Sequence, residues 1–310
     1  MRVAGRLWSH AMVAVAILLA VLTVILIAAP TAQAATEQAP RAAHPSGPAG
    51  VLAPWAELAN AATGSPLWTR DPLAERPMGS ITKVMTAYIV IEAGGLNRVL
   101  TVPKGIIAYD DKYDASTAGL VPGEKLTVTQ LLYAMLIPSG CDAAYTLAYA
   151  YGPGRDKFIA KMNATARELG LTKTSFSDFS GLPDPGEYTT YSTTGDLIRL
   201  GLDAMKLPLF RQIVALRRYH LAAGNGHRAH TWLTTNLLLK AYPGAFGIKT
   251  GMTSAAGFCL LFEARRDGKT LVGVVLHSST VAMTYAVSDA EKMLNWGFAR
   301  QPDARQPGAG

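Results

Sequence analysis

The segment Ser80-Ile81-Thr82-Lys83 is the one place in the chain where a lysine follows a serine by three positions. Side chains at i and i+3 share a helix face, so at a helix start the Lys83 amine can reach the Ser80 hydroxyl. Beneath an apolar helix, desolvation disfavours the ammonium form and leaves an amine that can take the serine proton. The Ser80 N–H lies among the unpaired donors of a helix N-terminus, which suits a developing oxyanion. The spacing predicts a serine nucleophile with a lysine base; a chance match of so short a pattern is the alternative.

The second motif, Lys249-Thr250-Gly251, ends a predicted strand and opens into Met252. An ammonium beside a hydroxyl can bind a carboxylate, and a glycine lets another backbone come close. Strand alternation points neighbouring side chains to opposite faces, so Lys249 and Thr250 line one cleft only if their strand lies at a sheet edge. The motif predicts a site for a substrate carboxylate, and a lysine that flanks an ordinary turn is the alternative.

The third motif runs from Pro138 to Asp142 and includes Ser139 and Cys141. It breaks the chain between two predicted helices. Ser139 could donate a proton, or relay one between Lys83 and a leaving group. The alternative is an interhelical turn in which Ser139 caps the next helix.

These motifs need a mixed fold to position them, and the sequence pattern predicts one. The helix at Ser80–Glu92 is apolar nearly all round, as expected at the centre of a domain. Further helices are predicted at Thr127–Ile137, Asp142–Tyr151, Arg155–Leu169, Thr193–Met205 and Met283–Phe298. Strands are predicted at Ala56–Ala61, Pro66–Thr69, Phe246–Thr250, Gly257–Ala264 and Thr270–Ser278, with a hairpin turn at Arg266-Asp267-Gly268. Strands from both ends of the chain flank a run of helices, which favours an α/β fold of the α+β type, with an antiparallel sheet and a helical lobe.

The N-terminus carries the pattern of an export signal. Arg2 and Arg6 precede the uncharged run Ala11–Ala29, and Ala32-Gln33-Ala34 supplies small residues for signal cleavage. The run is also long enough for a retained membrane anchor. We therefore expect an extracytoplasmic protein, either secreted or anchored at the outer face of the cytoplasmic membrane. The predicted organisation is a signal at residues 1–34, a Pro/Ala-rich spacer at 35–51, one catalytic domain at 52–300 and a flexible tail at 301–310.

Composition excludes several other classes. The chain has 310 residues, of which 49% are hydrophobic and 16% charged, so it is not a disordered protein. The net charge of +7 is diffuse, without basic runs interleaved with aromatics, and this favours a membrane or wall surface over nucleic acid. Cys141 and Cys259 lack zinc spacing, so we predict no metal site. We also predict no disulfide bridge between these two cysteines. Cys259 is assigned to core packing. Four histidines are predicted to be packing or surface residues: His220, His227, His230 and His277.

Taken in order, the three motifs resemble those of the serine penicillin-binding DD-peptidases, the low-molecular-weight D-alanyl-D-alanine carboxypeptidase and transpeptidase family. The resemblance covers nearly everything from Ala56 to Phe298. It includes the blocks Gly79–Tyr88, Leu131–Ser139, Met162-Asn163, Ser180-Gly181-Leu182 and Gly247–Gly251. The fold this implies is β-lactamase/DD-peptidase-like, a five-stranded antiparallel sheet flanked by helices plus an all-helical lobe. No cofactor is implied.

The resemblance also implies roles for the motif residues. The substrates are peptidoglycan stem peptides ending in D-Ala-D-Ala, and β-lactam antibiotics imitate that dipeptide and acylate the same serine. Ser80 is the nucleophile and Lys83 the base, while Ser139 and Lys249 pass a proton to the departing amine. Lys249 and Thr250, followed by Gly251, hold the terminal carboxylate. The backbone N–H groups of Ser80 and Met252 form the oxyanion hole.

One position departs from the usual family pattern. The middle motif usually ends in an asparagine that binds the central lysine and the substrate carbonyl, whereas this chain has Cys141 there, a weak donor and a poor acceptor. Similar Ser-Gly-Cys variants resemble a minority of actinobacterial-type enzymes, some of them transpeptidases. We expect weaker substrate positioning, slower hydrolysis or transfer of the acyl group to an amine. A small buried hydrophobe is the structural alternative for Cys141.

Other interpretations of the same motifs remain open. The enzyme could be mainly a DD-transpeptidase, or the chain a non-catalytic penicillin-binding wall sensor. A class A β-lactamase needs a glutamate near a second asparagine, and Glu187 has no asparagine shortly after it. Thr234-Thr235-Asn236 could replace the middle motif, but Ser139 is the better candidate because Asn236 begins a different family block.

Overall fold

The computed structural model describes residues 47–300 except residue 225. The predicted signal, most of the predicted spacer and the predicted tail lie outside the described residues.

In chain order the strands are β1 (Trp55–Asn60), β2 (Pro66–Arg70), β3 (Val99–Thr101), β4 (Lys125–Thr127), β5 (Arg218–Leu221), β6 (His230–Leu233), β7 (Ala245–Gly251), β8 (Cys259–Arg266) and β9 (Lys269–Leu276). The helices are α1 (Lys83–Ala93), α2 (Gly105–Tyr113), α3 (Val128–Leu136), α4 (Cys141–Tyr151), α5 (Arg155–Glu168), α6 (Thr194–Lys206), α7 (Pro208–Val214), α8 (Leu238–Ala241) and α9 (Met283–Arg300). Within this described range, none of the helices has the length and apolar character needed to cross a membrane.

Strands from the two ends of the described chain form one sheet. Its order is β2-β1-β9-β8-β7, and every neighbouring pair is antiparallel. The turn between β8 and β9 contains Asp267 at φ 49° and Gly268 at φ 76°, as a tight hairpin requires. Strand β7, which carries Lys249 and Thr250, lies at the sheet edge. The predicted five-stranded antiparallel sheet is therefore confirmed, and the edge position that the second motif needs is present.

The two faces of the sheet bury different sets of side chains. On one face Leu58 and Phe262 belong to a hydrophobic cluster with Met293 and Leu294 of α9. The other face, which includes Leu261, packs against α6 and the remaining helices. Alternation along each strand explains this division, and each large aliphatic group removed from water contributes about 1.5–3 kcal/mol.

The central helix is buried as its apolar sequence predicts. Its residues Val84, Met85, Ala87 and Val90 have no exposed surface, and α3, α4 and α6 all contact it. Helix α3 is fixed at its start by a reciprocal capping box between Thr127 and the residue three positions on. The helical lobe thus surrounds α1 and holds its N-terminal end against the sheet.

The start of the central helix differs from the prediction. Residues Gly79–Thr82 form a 3₁₀ turn, and the α-helix begins only at Lys83. In a 3₁₀ turn side chains at i and i+3 eclipse, which brings Ser80 and Lys83 closer than an α-helical turn would. The other predicted helices and strands occur within about two residues of their expected ends.

Several short elements were not predicted from the sequence. They are α2, the two-stranded pairs β3–β4 and β5–β6, α7 and α8. The strands among them have three or four residues, too few to establish a period of two. Helix α2 buries only Ile106 and Tyr109, so its amphipathic signal is weak. Helix α7 follows α6 almost directly and starts at Pro208.

Gly273 lies where the sheet packs against α9, and a larger residue there should lower the stability of the protein. A Cβ on Gly273 would lie 2.3 Å from Cζ of Phe262, inside the buried cluster. We expect Gly273→Ala to lower the free energy of unfolding by about 1–3 kcal/mol, measured by chemical denaturation, because the ring must move. The control is Gly224→Ala, where a Cβ meets nothing within 4 Å. Equal stability of the two variants would contradict the packing described here.

Candidate active site

Ser80 and Lys83 meet at the junction of the 3₁₀ turn and α1. Lys83 Nζ donates to Ser80 Oγ at 2.7 Å. The Lys83 side chain has no exposed surface, whereas Ser80 is half-buried and lines an open cleft. The pair therefore presents a reachable hydroxyl backed by an amine that is withdrawn from water.

The amine of Lys83 is held by neutral groups. It donates to the Ser180 carbonyl oxygen at 3.0 Å and to Cys141 Sγ at 3.3 Å. No carboxylate of the described residues forms an ion pair with it. The hydrogen bonds that it donates among these residues are therefore all to uncharged groups, and the amine lies against the hydroxyl of Ser80 without a fixed counter-ion.

The second and third motifs meet through another buried lysine. Lys249 Nζ donates to Ser139 Oγ at 3.0 Å and to the Thr250 carbonyl oxygen at 3.1 Å. Ser139 has a positive φ of 69°, a backbone conformation that few residues other than glycine adopt. Thr250 Oγ1 lies 3.4 Å from Lys249 Nζ and 2.6 Å from Thr235 Oγ1. Side chains of neighbouring strand residues normally point to opposite faces of a sheet. At this sheet edge, Lys249 and Thr250 nevertheless contribute to the same site.

Burial strongly affects the charge of Lys249. The side chain is 1% exposed. This desolvation, and after it the proximity of Lys83, lowers the pKa of Lys249 well below the usual lysine range, while Cys141 acts in the opposite direction. An amine in this state can exchange a proton with a neighbouring hydroxyl or leaving group near neutral pH more easily than a surface lysine.

Three glycines allow the backbones around Ser80 to approach one another. A Cβ on Gly79 would lie 2.6 Å from Met252 N, and one on Gly251 would lie 2.1 Å from the Met78 carbonyl oxygen. A Cβ on Gly181 would lie 2.0 Å from the Gly79 carbonyl oxygen. Only glycine fits at such contacts, so the strand end at Met252 lies directly against the turn that carries Ser80.

The cleft above these groups has a volume of about 490 Å³. Its floor includes Ser80, Ser139 and Thr250, and its walls include Leu182 and Phe258. The remaining lining residues are Tyr113, Asp114, Ala115, Ser116, Pro183, Glu187, Thr235, Gly251, Met252, Thr253, Ser254 and Met283. A pocket of this size with a few converging polar groups is suited to a short peptide or a small drug.

Cys141 lies beneath the cleft and does not line it. Its side chain has no exposed surface and its Sγ accepts from Lys83 Nζ. Both Cys141 and Cys259 are free thiols. The sulfur that replaces the usual asparagine of the middle motif therefore contacts the amine of Lys83 and does not reach the surface of the cleft.

Sequence reasoning missed the buried carboxylate that holds the loop behind Lys83. Asp178 Oδ1 accepts from the backbone N–H groups of Ser180, Gly181 and Leu182 at 2.7, 2.7 and 3.0 Å, and Oδ2 accepts from Tyr109 at 2.7 Å. This arrangement orients the Ser180 carbonyl oxygen that binds Lys83. The signal was present in the sequence as an aspartate two residues before the Ser180-Gly181-Leu182 block.

Two further hydroxyls at the cleft were also missed. Ser116 Oγ donates to the Ser139 carbonyl oxygen at 2.8 Å, which fixes the strained turn. Thr235, set aside above with Asn236, lines the cleft and bonds Thr250. Asn236 itself is buried, and its Oδ1 accepts from the Leu238 N–H. Neither serine nor threonine alone gives a sequence signal that separates such contacts from ordinary turns.

The remaining candidate residues lie in structural surroundings. The Glu187 carboxylate accepts from the Ala255 N–H at 3.4 Å, at the wall of the cleft. His230 is buried 3.1 Å from Glu124, away from the cleft. Among the described residues, no group of three or more His, Cys, Asp or Glu side chains is placed to hold a metal ion.

Comparisons with known proteins agree with this geometry. A model of the D-alanyl-D-alanine carboxypeptidase family matches residues 42–280. The chain is 41% identical over 252 residues to a D-alanyl-D-alanine carboxypeptidase of Streptomyces sp. (strain K15), covering 77% of this chain and 85% of that one. It is 34% identical over 256 residues to the D-alanyl-D-alanine carboxypeptidase DacB2 of Mycobacterium tuberculosis, covering 80% and 82%.

Solved structures give the same result. The crystal structure of the Streptomyces K15 DD-transpeptidase matches with a TM-score of 0.76 at 40% identity, covering 82% of this chain and 99% of that one. The matched family region contains all three motifs, from Ser80 to Met252. On both sequence and structure, this chain belongs to the D-alanyl-D-alanine carboxypeptidase family.

Proposed function

We propose that the protein is an exported serine D-Ala-D-Ala carboxypeptidase that acts on peptidoglycan stem peptides through an acyl-enzyme and is acylated by β-lactams. The observation that carries this proposal is the 2.7 Å contact between the cleft hydroxyl of Ser80 and the buried amine of Lys83. The names of the relatives support the substrate, and the cleft supports a peptide of that size.

In the first step Ser80 Oγ attacks the carbonyl carbon of the penultimate D-Ala, and Lys83 Nζ takes the hydroxyl proton. The negative charge moves to the carbonyl oxygen, which the N–H groups of Ser80 and Met252 would stabilise. The close approach of Met252 N to Gly79 supports this role, because it brings the end of β7 beside the nucleophile.

In the second step the peptide C–N bond breaks and the terminal D-Ala leaves with its amine. That amine needs a proton, which Ser139 Oγ would supply while Lys249 Nζ reprotonates the hydroxyl. The 3.0 Å hydrogen bond between these two side chains and the lowered pKa of Lys249 support such a relay. Water then attacks the ester on Ser80 and gives up one proton, which returns through Ser139 to Lys249. As the ester C–O bond breaks, Lys83 returns its proton to Ser80 Oγ, so the peptide leaves as a carboxylic acid and the enzyme is regenerated.

The carboxylate of the terminal D-Ala would bind at Thr250. Thr250 lines the cleft, and the Lys249 amine lies directly behind it, 3.4 Å from the Thr250 hydroxyl. Gly251 keeps this stretch of β7 free of a side chain. A β-lactam presents a carboxylate and an acyl carbon in a similar arrangement, so the same groups would orient it.

The site of action would be the outer face of the cytoplasmic membrane or the wall. The sequence pattern of Arg2, Arg6 and the uncharged run at residues 11–29 supports export, as does the diffuse positive charge.

A DD-transpeptidase is the second candidate, and Cys141 favours it. An asparagine at this position would offer an amide to Lys83 and to the substrate. The buried sulfur instead accepts from the Lys83 amine at 3.3 Å, lies 4.0 Å from the Ser116 hydroxyl and the Ser139 carbonyl oxygen, and does not line the cleft. Weaker positioning slows attack by water and leaves the acyl-enzyme available to an amine. The Streptomyces relative is named both as a carboxypeptidase and as a DD-transpeptidase.

Covalent labelling at Ser80 tests the enzyme assignment. We expect a fluorescent penicillin to label the protein and peptide mapping to place the adduct on Ser80. In Ser80→Ala, release of D-Ala from a D-Ala-D-Ala peptide should fall by roughly 10⁴-fold or more. Ser254→Ala, a matched change at the cleft wall, should keep both activities within about tenfold. An unlabelled wild-type protein that releases no D-Ala would instead indicate a non-catalytic wall-binding module.

The partition of the acyl-enzyme tests the role of Cys141. With a D-Ala-D-Ala peptide and added glycylglycine, we expect Cys141→Asn to raise the ratio of hydrolysis to transfer by about two- to tenfold, the worth of one hydrogen bond. The products are quantified by liquid chromatography with mass spectrometry. The buried thiol Cys259 provides the control, because Cys259→Ala should leave the ratio unchanged. An unchanged ratio in Cys141→Asn would show that the sulfur does not set the partition.

A further inference from the structure

A second groove lies at the opposite end of the sheet strands from the cleft. It has a volume of about 940 Å³ and shares no lining residue with the cleft that contains Ser80. Its walls come from the β1–β2 turn, helix α6 and the start of α7, and its floor from β1, β7, β8 and β9. Nothing in the reaction proposed above uses this groove.

A buried carboxylate without a hydrogen-bond donor lies in the groove. Glu263 is 7% exposed, and its Oε2 atom is buried with no partner within hydrogen-bond distance among the described residues. Glu57, the other carboxylate in the floor, is satisfied because it accepts from Thr194 Oγ1 at 2.8 Å. A buried unsatisfied carboxylate costs free energy unless a donor from outside completes it.

The rim of the groove carries two guanidinium groups that are available to a ligand. Arg199 donates to the Gly170 carbonyl oxygen, and Lys206 is paired with Asp203. The exposed Arg211 and Arg265 differ, since neither forms a side-chain hydrogen bond or an ion pair with any described residue. They offer planar donors that match a carboxylate.

We propose that this groove is a second ligand site, which binds an amino acid or short peptide by its free ammonium at Glu263 and its free carboxylate at Arg211 and Arg265. The buried carboxylate of Glu263 suits a positive group, and the guanidinium groups of the rim suit a negative one. The groove is therefore complementary to a zwitterion, which carries both charges. The volume is sufficient for two or three residues. Because it shares no residue with the cleft, the site does not depend on the activity proposed for Ser80.

The charge state of Glu263 makes ligand binding in the groove depend on pH. Burial raises the pKa of Glu263 to about 7, and Arg211 acts in the opposite direction. The carboxyl group is therefore mostly protonated below this value, where it cannot pair with an ammonium, and ionised above it. The other charged groups around the groove are Glu57 on β1, Arg199, Asp203 and Lys206 on α6, and Arg265 on β8 itself. The hydrogen bond to Asp203 raises the pKa of Lys206, so this amine stays charged across the tested range. Burial raises the pKa of Glu57, whereas its hydrogen bond from Thr194 acts in the opposite direction.

Calorimetric titration of the purified protein with L-alanyl-L-alanine tests the proposal. We expect saturable binding that strengthens by about fivefold from about pH 6 to about pH 7, where the ligand amine is still protonated. N-acetyl-L-alanyl-L-alanine lacks the ammonium and L-alanyl-L-alanine amide lacks the carboxylate, so both should bind at least about tenfold more weakly. Ser80→Ala should bind as the wild type does, which separates this site from the cleft.

The matched variants are Glu263→Gln, which removes the buried charge, and Asp267→Asn, which removes an equal charge at the nearby β8–β9 turn outside the groove. Binding and its pH dependence should be lost in the first and retained in the second, with circular dichroism showing that both are folded. Three results would each overturn the proposal: no saturable binding up to about 10 mM, equal binding of the acetylated dipeptide, or unchanged binding in Glu263→Gln.

Discussion

The structure depends on burying two lysine amines side by side without a paired carboxylate. Lys83 has no exposed surface and Lys249 is 1% exposed, and both are satisfied by hydroxyl, carbonyl and sulfur partners. Withdrawing an ammonium from water is costly, and at Lys249 this burial lowers the pKa well below the usual lysine range. Each amine lies one hydrogen bond behind a serine hydroxyl of the cleft. The apolar character of α1 and the edge of the sheet therefore serve reactivity as well as stability.

That burial requires backbones to approach closely, and the fold supplies the approach. The sheet joins strands from both ends of the described chain, so the end of β7 lies against the turn that begins α1. Glycines at positions 79, 181 and 251 remove the side chains that would separate these segments. Asp178 then ties the neighbouring loop through several N–H groups, so the carbonyl oxygen that holds Lys83 has one orientation. Rigid elements of this kind position reacting groups without an ordering cost at the moment of reaction.

Much of this could be predicted from the sequence because the signals were local or periodic. The long apolar segments predicted α1, β8 and β9, and the spacing of Ser80 and Lys83 predicted the contact between these two side chains. The 3₁₀ turn could not be predicted, since Gly79 at its start packs closely against Met252, a residue far away in the chain. The same reason applies to Thr235 and to the contact of Asp178 with Tyr109, whose partners are set by tertiary packing. The N–H partners of Asp178 lie only two to four positions along the chain and were within reach of sequence reasoning. Short strands such as β5 and β6 lack the length that makes a period visible.

The proposed reaction depends most directly on Lys83 as the group that takes the proton from Ser80. The decisive measurement is the rate constant for covalent acylation of Ser80 by benzylpenicillin in Lys83→Met, followed by intact-protein mass spectrometry against the wild type. Methionine keeps an unbranched buried chain and removes the basic nitrogen. The account predicts that acylation slows by about 10²–10⁴-fold, the usual contribution of a positioned base, in a protein that remains folded. An acylation rate equal to that of the wild type would contradict it.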